Sequence, residues 1–318
     1  MIKPGAVMAT IDKLSVVIPV YNDEEVLPEL YRRLQPVARE LSASYEIVFV
    51  DDGSEDGSLA VLEDIVQRDA SVVIVQQARN FGQHNAIAAG LREAQGDIIV
   101  IMDSDLQDRP EDIPKLIAAL QENACTMAIA QWITREDTFV RQMCFRLFSA
   151  VSARLTSLKH LARLGIFRAI TRSGVDAVKD IPETTGTILS LLYWSGLSYV
   201  TVELHRGRRA AGTSGYNLKR MCALTADRIY SYTVFPVRAA TVAGLLVGAT
   251  SIVMGGYFAI RKFFMDEVVP GWTFLIAAAL FLFGLNFVFI GMVGEYLIRI
   301  YRESKGRPRY ITEKIIRR

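Results

Sequence analysis

The stretch "GDIIVIMDSDLQDRPED", residues 96–112, places an apolar run directly before a cluster of acidic residues. The run from Ile98 to Ile101 is typical of a buried strand. Five carboxylates follow it, at Asp103, Asp105, Asp108, Glu111 and Asp112. Like charges held close together raise one another's proton affinity, so such a cluster favours a bound cation. The stretch therefore predicts a strand that ends at a cation-binding loop.

Composition limits the class of protein. The chain has 318 residues, of which 51% are hydrophobic, and a net charge of +2 that does not indicate a nucleic-acid partner. Its length fits one large domain or two modest ones. The three cysteines are widely spaced and lack histidine partners, which argues against a zinc site or a disulfide framework and favours a reducing cytosol. The N-terminal residues lack the long apolar segment of a signal peptide.

Two long apolar segments, residues 239–260 and 271–294, contain no charged residue. A helix needs about 20 apolar residues to cross a bilayer, so both are predicted to span a membrane. Basic residues flank the pair on both outer sides, which predicts that both termini are cytoplasmic. The predicted layout is a cytosolic domain over 1–215, an amphipathic interfacial helix over 216–235, spans over 236–262 and 271–295, an extracytoplasmic connector over 263–270, and a basic cytoplasmic tail over 296–318. The sequence of residues 137–155 fits three alternatives: a second surface helix, a lid over the acceptor site, or a helix packed in the core.

The N-terminal domain alternates strands with helices. The runs "LSVVIPVY", "YEIVFVDD", "SVVIVQ" and "DIIVIM" are short and apolar, and amphipathic helical patterns separate them. This alternation predicts an α/β fold with a doubly wound, mostly parallel sheet. Pro19 is expected to end the regular pairing of the first strand. Ligands of such sheets bind beyond the carboxyl ends of the strands, where this chain carries residues 21–23, 51–54, 80–82 and 103–105.

The pair Asp103 and Asp105 has the chemistry of a magnesium site. Mg²⁺ is commonly held by one or two carboxylates together with substrate phosphates, which suits a nucleoside diphosphate leaving group. Taken alone, Asp-x-Asp also fits a solvated acidic turn, and the Asp-Gly of residues 52–53 is a common turn dipeptide. The sequence contains neither G-x-G-x-x-G before a helix nor a P-loop, which argues against binding of a dinucleotide or ATP.

In combination, "SVVIPVYND", "VDDGSEDGS", "RNFGQHNAIAAG" and "GDIIVIMDSDLQDRPED" resemble glycosyltransferase family 2, whose fold is GT-A. "RNFGQHNA", "DLQDRPE", the two apolar segments and the ending "GEYLIRIYRESKGRPRYI" narrow the resemblance to its polyisoprenyl-phosphate glycosyltransferases. That subgroup includes bactoprenol glucosyltransferases, dolichyl-phosphate mannose synthases and undecaprenyl-phosphate aminoarabinose transferases. The resemblance covers nearly the whole chain and is weakest over residues 121–207.

The resemblance implies three sets of site residues. The nucleotide-sugar set is Pro19, Tyr21, Asp23, Asp51, Asp52, Asn80, His84, Asp103 and Ser104. Asp103 and Asp105 would hold Mg²⁺ or Mn²⁺ on the diphosphate and serve catalysis. The lipid-phosphate set is Arg206, Arg208, Arg209, Ser214 and Tyr216; arginine suits it because its planar fork grips phosphate bidentately. His84 is equally compatible with a hydrogen-bonded loop histidine.

The implied reaction is inverting transfer of a sugar from a nucleotide sugar to undecaprenyl phosphate at the plasma membrane. A phosphate monoester is largely dianionic at neutral pH, so this acceptor needs no general base. UDP-glucose is the first expected donor, followed by UDP-aminoarabinose derivatives and GDP-mannose. Arg109, Ile166 and Gly215 depart from the usual family pattern, which leaves the identity of the sugar open. The resemblance also implies a homotetramer. A catalytically silent membrane adaptor on the same scaffold is the alternative of another class, and the intact Asp103/Asp105 pair disfavours it.

Overall fold

The computed structural model describes residues 11–132, 164–181, 187–205, 235–265 and 271–318. The chain divides into two compact units: residues 1–149, 160–215 and 307–318 form the first, and residues 150–159 and 216–306 form the second. Three predictions fall outside the described residues. They are the interfacial helix, the segment 137–155 and the lipid-phosphate set Arg206, Arg208, Arg209, Ser214 and Tyr216.

The first unit begins with the predicted alternation of strands and helices. Four strands, β1 (Lys13–Val20), β2 (Ser44–Asp51), β3 (Val72–Gln77) and β4 (Ile98–Ile101), alternate with the helices α1 (Leu27–Leu41), α2 (Ser58–Arg68) and α3 (Gln83–Glu93). The strands are parallel in the spatial order β3-β2-β1-β4, so the direction of winding reverses at β1. The α/β prediction is confirmed for this part of the chain.

In the described residues the sheet is mixed but mostly parallel, as predicted: six of its eight strands run in one direction and two run against them. After β4 come α4 (Ile113–Glu122), β5 (Met127–Trp132), β6 (Leu164–Thr171), α5 (Arg172–Asp176), α6 (Ile188–Trp194), β7 (Tyr199–Leu204) and the C-terminal β8 (Thr312–Ile316). The strand order is β7-β5-β6-β4-β1-β2-β3-β8. Strand β6 is antiparallel to both β4 and β5, and β8 is antiparallel to β3. Strand β8 lies in the segment that the sequence predicted only as a basic tail.

Apolar side chains cover both faces of the sheet. Val16 and Ile18 of β1 belong to the core beneath α1, α2 and α4, whereas Val17 belongs to the opposite core beneath α3 and α6. A strand buried on both faces needs a continuous apolar run, and residues 16–18 of β1 are accordingly all apolar and buried. Pro19 does not end the pairing of β1, since the strand continues to Val20 and Pro19 lies opposite Val50.

The second unit contains two long apolar helices, α7 (Phe235–Met265) and α8 (Trp272–Ser304). Among the described residues, one helical segment is long and apolar enough to cross a membrane: Phe281–Ser304, with a mean hydropathy of 1.8. The first of the two predicted spans is not confirmed by this criterion. Within α7, the charged residues are Arg238, Arg261 and Lys262, all close to its ends.

Candidate active site

Four loops follow the carboxyl ends of β1, β2, β3 and β4, and together they form the rim: residues 21–24, 51–58, 79–84 and 103–108. The first two are joined by hydrogen bonds. The backbone N–H of Asn22 donates to Ser54 Oγ at 3.1 Å, and that of Asp23 donates to Ser58 Oγ at 2.9 Å. In return, the Glu55 N–H donates to Asn22 Oδ1 at 2.8 Å. These bonds stabilise Asn22 in a left-handed backbone conformation with φ of 56°.

The second and third loops meet at Asp52 and Gly53. The Asp52 carboxylate accepts the backbone N–H groups of Phe81 and Gly82 at 2.8 and 2.9 Å. Gly53 has φ of 70°, and a Cβ added there would lie 2.6 Å from the Arg79 carbonyl carbon. Only glycine allows this combination of positive φ and close backbone approach. The Asp-Gly dipeptide is therefore required by the packing of two loops and not only by a turn.

A side-chain pair joins the third and fourth loops. Gln83 Nε2, at the start of α3, donates to Asp103 Oδ1 at 2.7 Å. The backbone N–H of Asp103 donates to Asp108 Oδ2 at 2.9 Å, and Asp108 is 2% exposed. Asp103 is thus held through both its backbone and its carboxylate.

A contact between Asp23 and Ser104 closes the ring. Ser104 Oγ donates to Asp23 Oδ2 at 2.5 Å, which joins the fourth loop to the first. Each of the four loops therefore contacts the next, and the last contacts the first. The ring brings carboxylates from β1, β2 and β4 to one edge of the sheet.

The acidic cluster of residues 103–112 is divided by the fold into different roles. Asp108 supports the Asp103 backbone, while Glu111 accepts a bidentate pair of hydrogen bonds from Arg33 of α1 at 2.9 and 2.7 Å. Asp112 pairs with Lys115 at 2.5 Å. The predicted metal ligands, Asp103 and Asp105, lie in the loop that follows β4, and Asp103 also contacts the third loop through Gln83.

Burial shapes the electrostatics of the rim. The pKa of Asp23 is raised from 3.8 mainly because burial disfavours its ionised form, and the nearby charges of Asp105 and Asp56 raise it further. The hydrogen bonds from Ser104 and Tyr21 act in the opposite direction. Burial also raises the pKa of Asp52, against the two backbone hydrogen bonds that favour its carboxylate. A cation at this edge would relieve both groups of part of that cost.

The remaining predicted nucleotide-sugar residues surround this ring. Tyr21 is 42% exposed, Asp51 is buried at 1%, and its Oδ1 accepts the Ser54 N–H at 3.2 Å. Asn80 is exposed in the third loop, and His84 lies in the first turn of α3 with its Nδ1 buried. The sequence predicted which loop carries each of these residues, and the structure places the loops side by side.

Sequence reasoning missed three supporting residues, Gln83, Asp108 and Ser58. Gln83 and Asp108 stand inside the quoted motifs "RNFGQHNA" and "DLQDRPE", so their proximity to the predicted residues was the available signal. Neither periodicity nor composition could pair Gln83 with Asp103 or Ser58 with Asp23, because these partners lie 20 and 35 residues apart in the chain.

Arg168 lies two residues after Ile166, which is one of the positions where the chain departs from the usual family pattern. It is 1% exposed on β6, opposite Ile101 of β4. Its Nε donates to the Ile166 carbonyl at 3.0 Å and its Nη2 to the Gly165 carbonyl at 2.7 Å, with the guanidinium 5.5 Å from the centre of the Tyr193 ring. Burial lowers the pKa of Arg168. Ile166 itself packs against the core beneath α3.

The donor set of the rim fits a hard divalent cation. Within the described residues, no group of three or more His, Cys, Asp or Glu side chains is arranged to hold a metal. Asp103 and Asp105 supply carboxylate oxygens, and Asp105 is held by the Gln107 N–H, which donates to its Oδ1 at 3.1 Å. Two carboxylates suit Mg²⁺, which takes its other ligands from phosphates and water. They do not suit a closed structural zinc site, which uses four protein ligands.

Sequence comparison gives the family of this fold: residues 15–170 match Glycosyl transferase family 2. The chain belongs to this family and is a glycosyltransferase. It is 35% identical over 312 residues to the undecaprenyl-phosphate 4-deoxy-4-formamido-L-arabinose transferase of Enterobacter sp. (strain 638), covering 97% of this chain and 95% of that protein. It is 34% identical over 303 residues to the SfII prophage-derived bactoprenol glucosyl transferase of Shigella flexneri, covering 95% and 98%.

A solved structure with the same fold is the glucosyl-3-phosphoglycerate synthase of Mycobacterium tuberculosis in complex with Mn²⁺, UDP-glucose and phosphoglyceric acid. The TM-score is 0.52 at 20% identity, and the alignment covers 69% of this chain and 78% of that one. At this identity the likeness concerns the fold alone.

Proposed function

We propose that this glycosyltransferase transfers one sugar from a nucleotide sugar to undecaprenyl phosphate, with inversion at the anomeric carbon. The first expected donor is UDP-glucose. The closed ring of rim loops carries the proposal, because it gathers Asp23, Asp52 and Asp103 at the edge where α/β sheets bind ligands. The names of the two relatives support the acceptor, and one of them supports glucose.

Asp103 and Asp105 are the proposed ligands of Mg²⁺ or Mn²⁺. The cation, when bound, would neutralise charge that develops on the departing diphosphate. The protein's own part is to position the donor: Tyr21 offers an exposed ring beside the first loop, and the buried Asp51 and Asp52 fix the second and third loops. Positioning of this kind is a major source of rate when no covalent intermediate is needed.

The acceptor phosphate is proposed to bind Arg206, Arg208 and Arg209 with Ser214 and Tyr216. The phosphate attacks the anomeric carbon directly, the bond from that carbon to the diphosphate breaks, and the nucleoside diphosphate leaves. Since a phosphate monoester is already largely dianionic at neutral pH, no side chain needs to remove a proton. One displacement inverts the configuration.

Strand β8 supports a membrane topology with two spans. Strands β7 and β8 belong to one sheet, and residues 205–311 connect them. Both ends of that connection therefore lie on the same side of a membrane, so the segment crosses it an even number of times. If α8 crosses once, a second crossing is required. Helix α7 has 31 residues, or about 46 Å at 1.5 Å per residue, which exceeds the hydrocarbon thickness.

The topology is tested by cysteine labelling in intact cells. The variant Val268→Cys should react with a membrane-impermeant maleimide from outside, while Ser304→Cys should react only after the cells are opened. Labelling of Ser304→Cys from outside would contradict the cytoplasmic placement of the C-terminus.

The reaction is tested with purified full-length protein, undecaprenyl phosphate, Mg²⁺ or Mn²⁺, and a panel of UDP-glucose, a UDP-aminoarabinose derivative and GDP-mannose. Mass spectrometry of the extracted lipid identifies the product. We expect a lipid-linked hexose from UDP-glucose and no product from the Asp105→Asn variant or in excess EDTA. Product from another donor alone would replace glucose in the proposal. The absence of turnover with every donor would favour the silent adaptor.

A further inference from the structure

The Gln83 side chain connects the third rim loop to the proposed metal ligand Asp103. Its Nε2 donates to Asp103 Oδ1 at 2.7 Å. A carboxylate has about four acceptor positions, so Oδ1 can keep this bond while the group binds a cation. Hydrogen bonds of this kind orient the carboxylates that ligate metals in proteins.

The backbone position of Gln83 is fixed from β2. Gly82 precedes it with φ of 95°, and the Asp52 carboxylate holds the N–H groups of Phe81 and Gly82. The Gly82 carbonyl then accepts the N–H of Asn85 at 2.8 Å, which begins α3. Gln83 therefore stands on a rigid turn whose anchor is a predicted nucleotide-binding residue.

The body of α3 is also fixed against the sheet. A Cβ added to Gly90 would lie 2.3 Å from Val17 Cγ1 and 2.9 Å from Val50 Cγ2, so the helix packs directly on β1 and β2. Ala86, Ile87 and Leu91 are buried beneath it. Gln83 therefore stands at the start of a helix that packs directly on the sheet.

On the other side of the contact, the backbone of Asp103 is held by Asp108, which is 2% exposed. The hydrogen bond from Gln83 acts on the Asp103 carboxylate itself.

We infer that Gln83 is a positioning residue that orients Asp103 for the divalent cation and couples the metal ligand to the loop that Asp52 holds. The inference rests on the proposed function, because it takes Asp103 as a ligand of Mg²⁺ or Mn²⁺. It predicts that Gln83 affects affinity for the cation, although it is not a metal ligand itself.

The test measures Mn²⁺ binding to full-length protein in detergent with UDP present, by the electron paramagnetic resonance signal of free Mn²⁺. The variant Gln83→Met keeps the length of the side chain and loses the donor. The variant Gln83→Glu keeps the shape but cannot donate and repels Asp103. Both should raise the dissociation constant for Mn²⁺ about tenfold to a hundredfold, the range for residues that orient metal ligands. The control Gln67→Met changes an exposed glutamine of α2 and should bind as wild type.

Two companion measurements separate positioning from damage to the fold. The thermal unfolding temperature of each variant should match the wild type, and calorimetric UDP binding without metal should be unchanged. Unaltered Mn²⁺ affinity in Gln83→Met would overturn the inference while leaving the proposed function intact. Tighter Mn²⁺ binding in Gln83→Glu would also overturn it, by indicating that position 83 is a ligand position. Failure of the wild type itself to bind Mn²⁺ would overturn the metal in the proposed function, and the inference with it.

Discussion

Replacing Gly53 by alanine should damage the rim more than an equivalent change at another glycine. The residue has φ of 70°, and its missing Cβ would lie 2.6 and 2.7 Å from backbone atoms of Arg79 and Asn80. The left-handed conformation costs an L-residue about 1–2 kcal/mol. The overlap is with backbone, so the third loop must move, at an overpacking cost of about 1–3 kcal/mol. The expected total is about 2–5 kcal/mol.

Gly196 provides the matched control. Its φ is 72°, yet nothing lies within 4 Å of the Cβ that alanine would add. The variant Gly196→Ala should therefore lose only the conformational part, about 1–2 kcal/mol. Any gain from reducing the freedom of the unfolded chain is the same in both variants and cancels in the comparison.

The assay is the thermal unfolding temperature in detergent, together with calorimetric binding of UDP. A loss of 1 kcal/mol lowers the unfolding temperature by about 2–4 °C in a domain of this size. Gly53→Ala should unfold at a clearly lower temperature than Gly196→Ala, and only Gly53→Ala should bind UDP more weakly. Equal unfolding temperatures and equal UDP affinities in the two variants would refute the steric argument.

Three other predictions concern charge, the C-terminal strand and the acceptor. Folding raises the pKa of Asp23 above 3.8, so the folded protein loses stability as the pH rises through the window between the unfolded and folded pKa values. Asp23→Asn should therefore unfold at a higher temperature than wild type at about pH 7.5, and the difference should vanish below the unfolded pKa. A variant that is less stable than wild type at neutral pH would contradict this. Ile316→Asp should lower the unfolding temperature, because Ile316 packs against the core. Ile315→Asp should leave the unfolding temperature unchanged, because Ile315 is 41% exposed. Equal effects of the two variants would show that β8 does not pack in this register. Arg209→Ala should slow transfer to undecaprenyl phosphate roughly tenfold to a hundredfold, which corresponds to the loss of one charge-assisted hydrogen bond. UDP binding should be unchanged, and Arg209→Lys should restore only part of the transfer rate. A fully active alanine variant would remove Arg209 from the acceptor site.

The order of the first four strands was predictable from local pattern. Each apolar run, such as residues 98–101, is buried on both faces, and polar residues begin where the run ends. Because the carboxyl ends of parallel strands meet at one edge, strand order along the chain was enough to bring Asp23, Asp52 and Asp103 to the same rim. The gathering of these three carboxylates at one edge was therefore predictable from the sequence.

The pairing of individual side chains was not predictable. The sequence gives no means of telling that Glu111 pairs with Arg33 of α1 while Asp103 accepts from Gln83. All five carboxylates of residues 103–112 look alike as charges, and their separate roles arise from which helix packs beside each of them. Likewise, the basic tail after residue 296 carries no strong strand pattern, and β8 forms because the edge of β3 offers unpaired backbone groups.

The sequence by itself determined the family through the resemblance of its motifs. It also determined the fold class and the edge of the sheet that carries the candidate site, because these depend on hydrophobic periodicity and on the position of polar residues at strand ends. Only the tertiary structure decided which side chains hold the rim together, that Gly53 touches the third loop, and that the C-terminal strand returns to the sheet. These contacts join residues far apart in the chain, and their geometry depends on the packing of both cores at once.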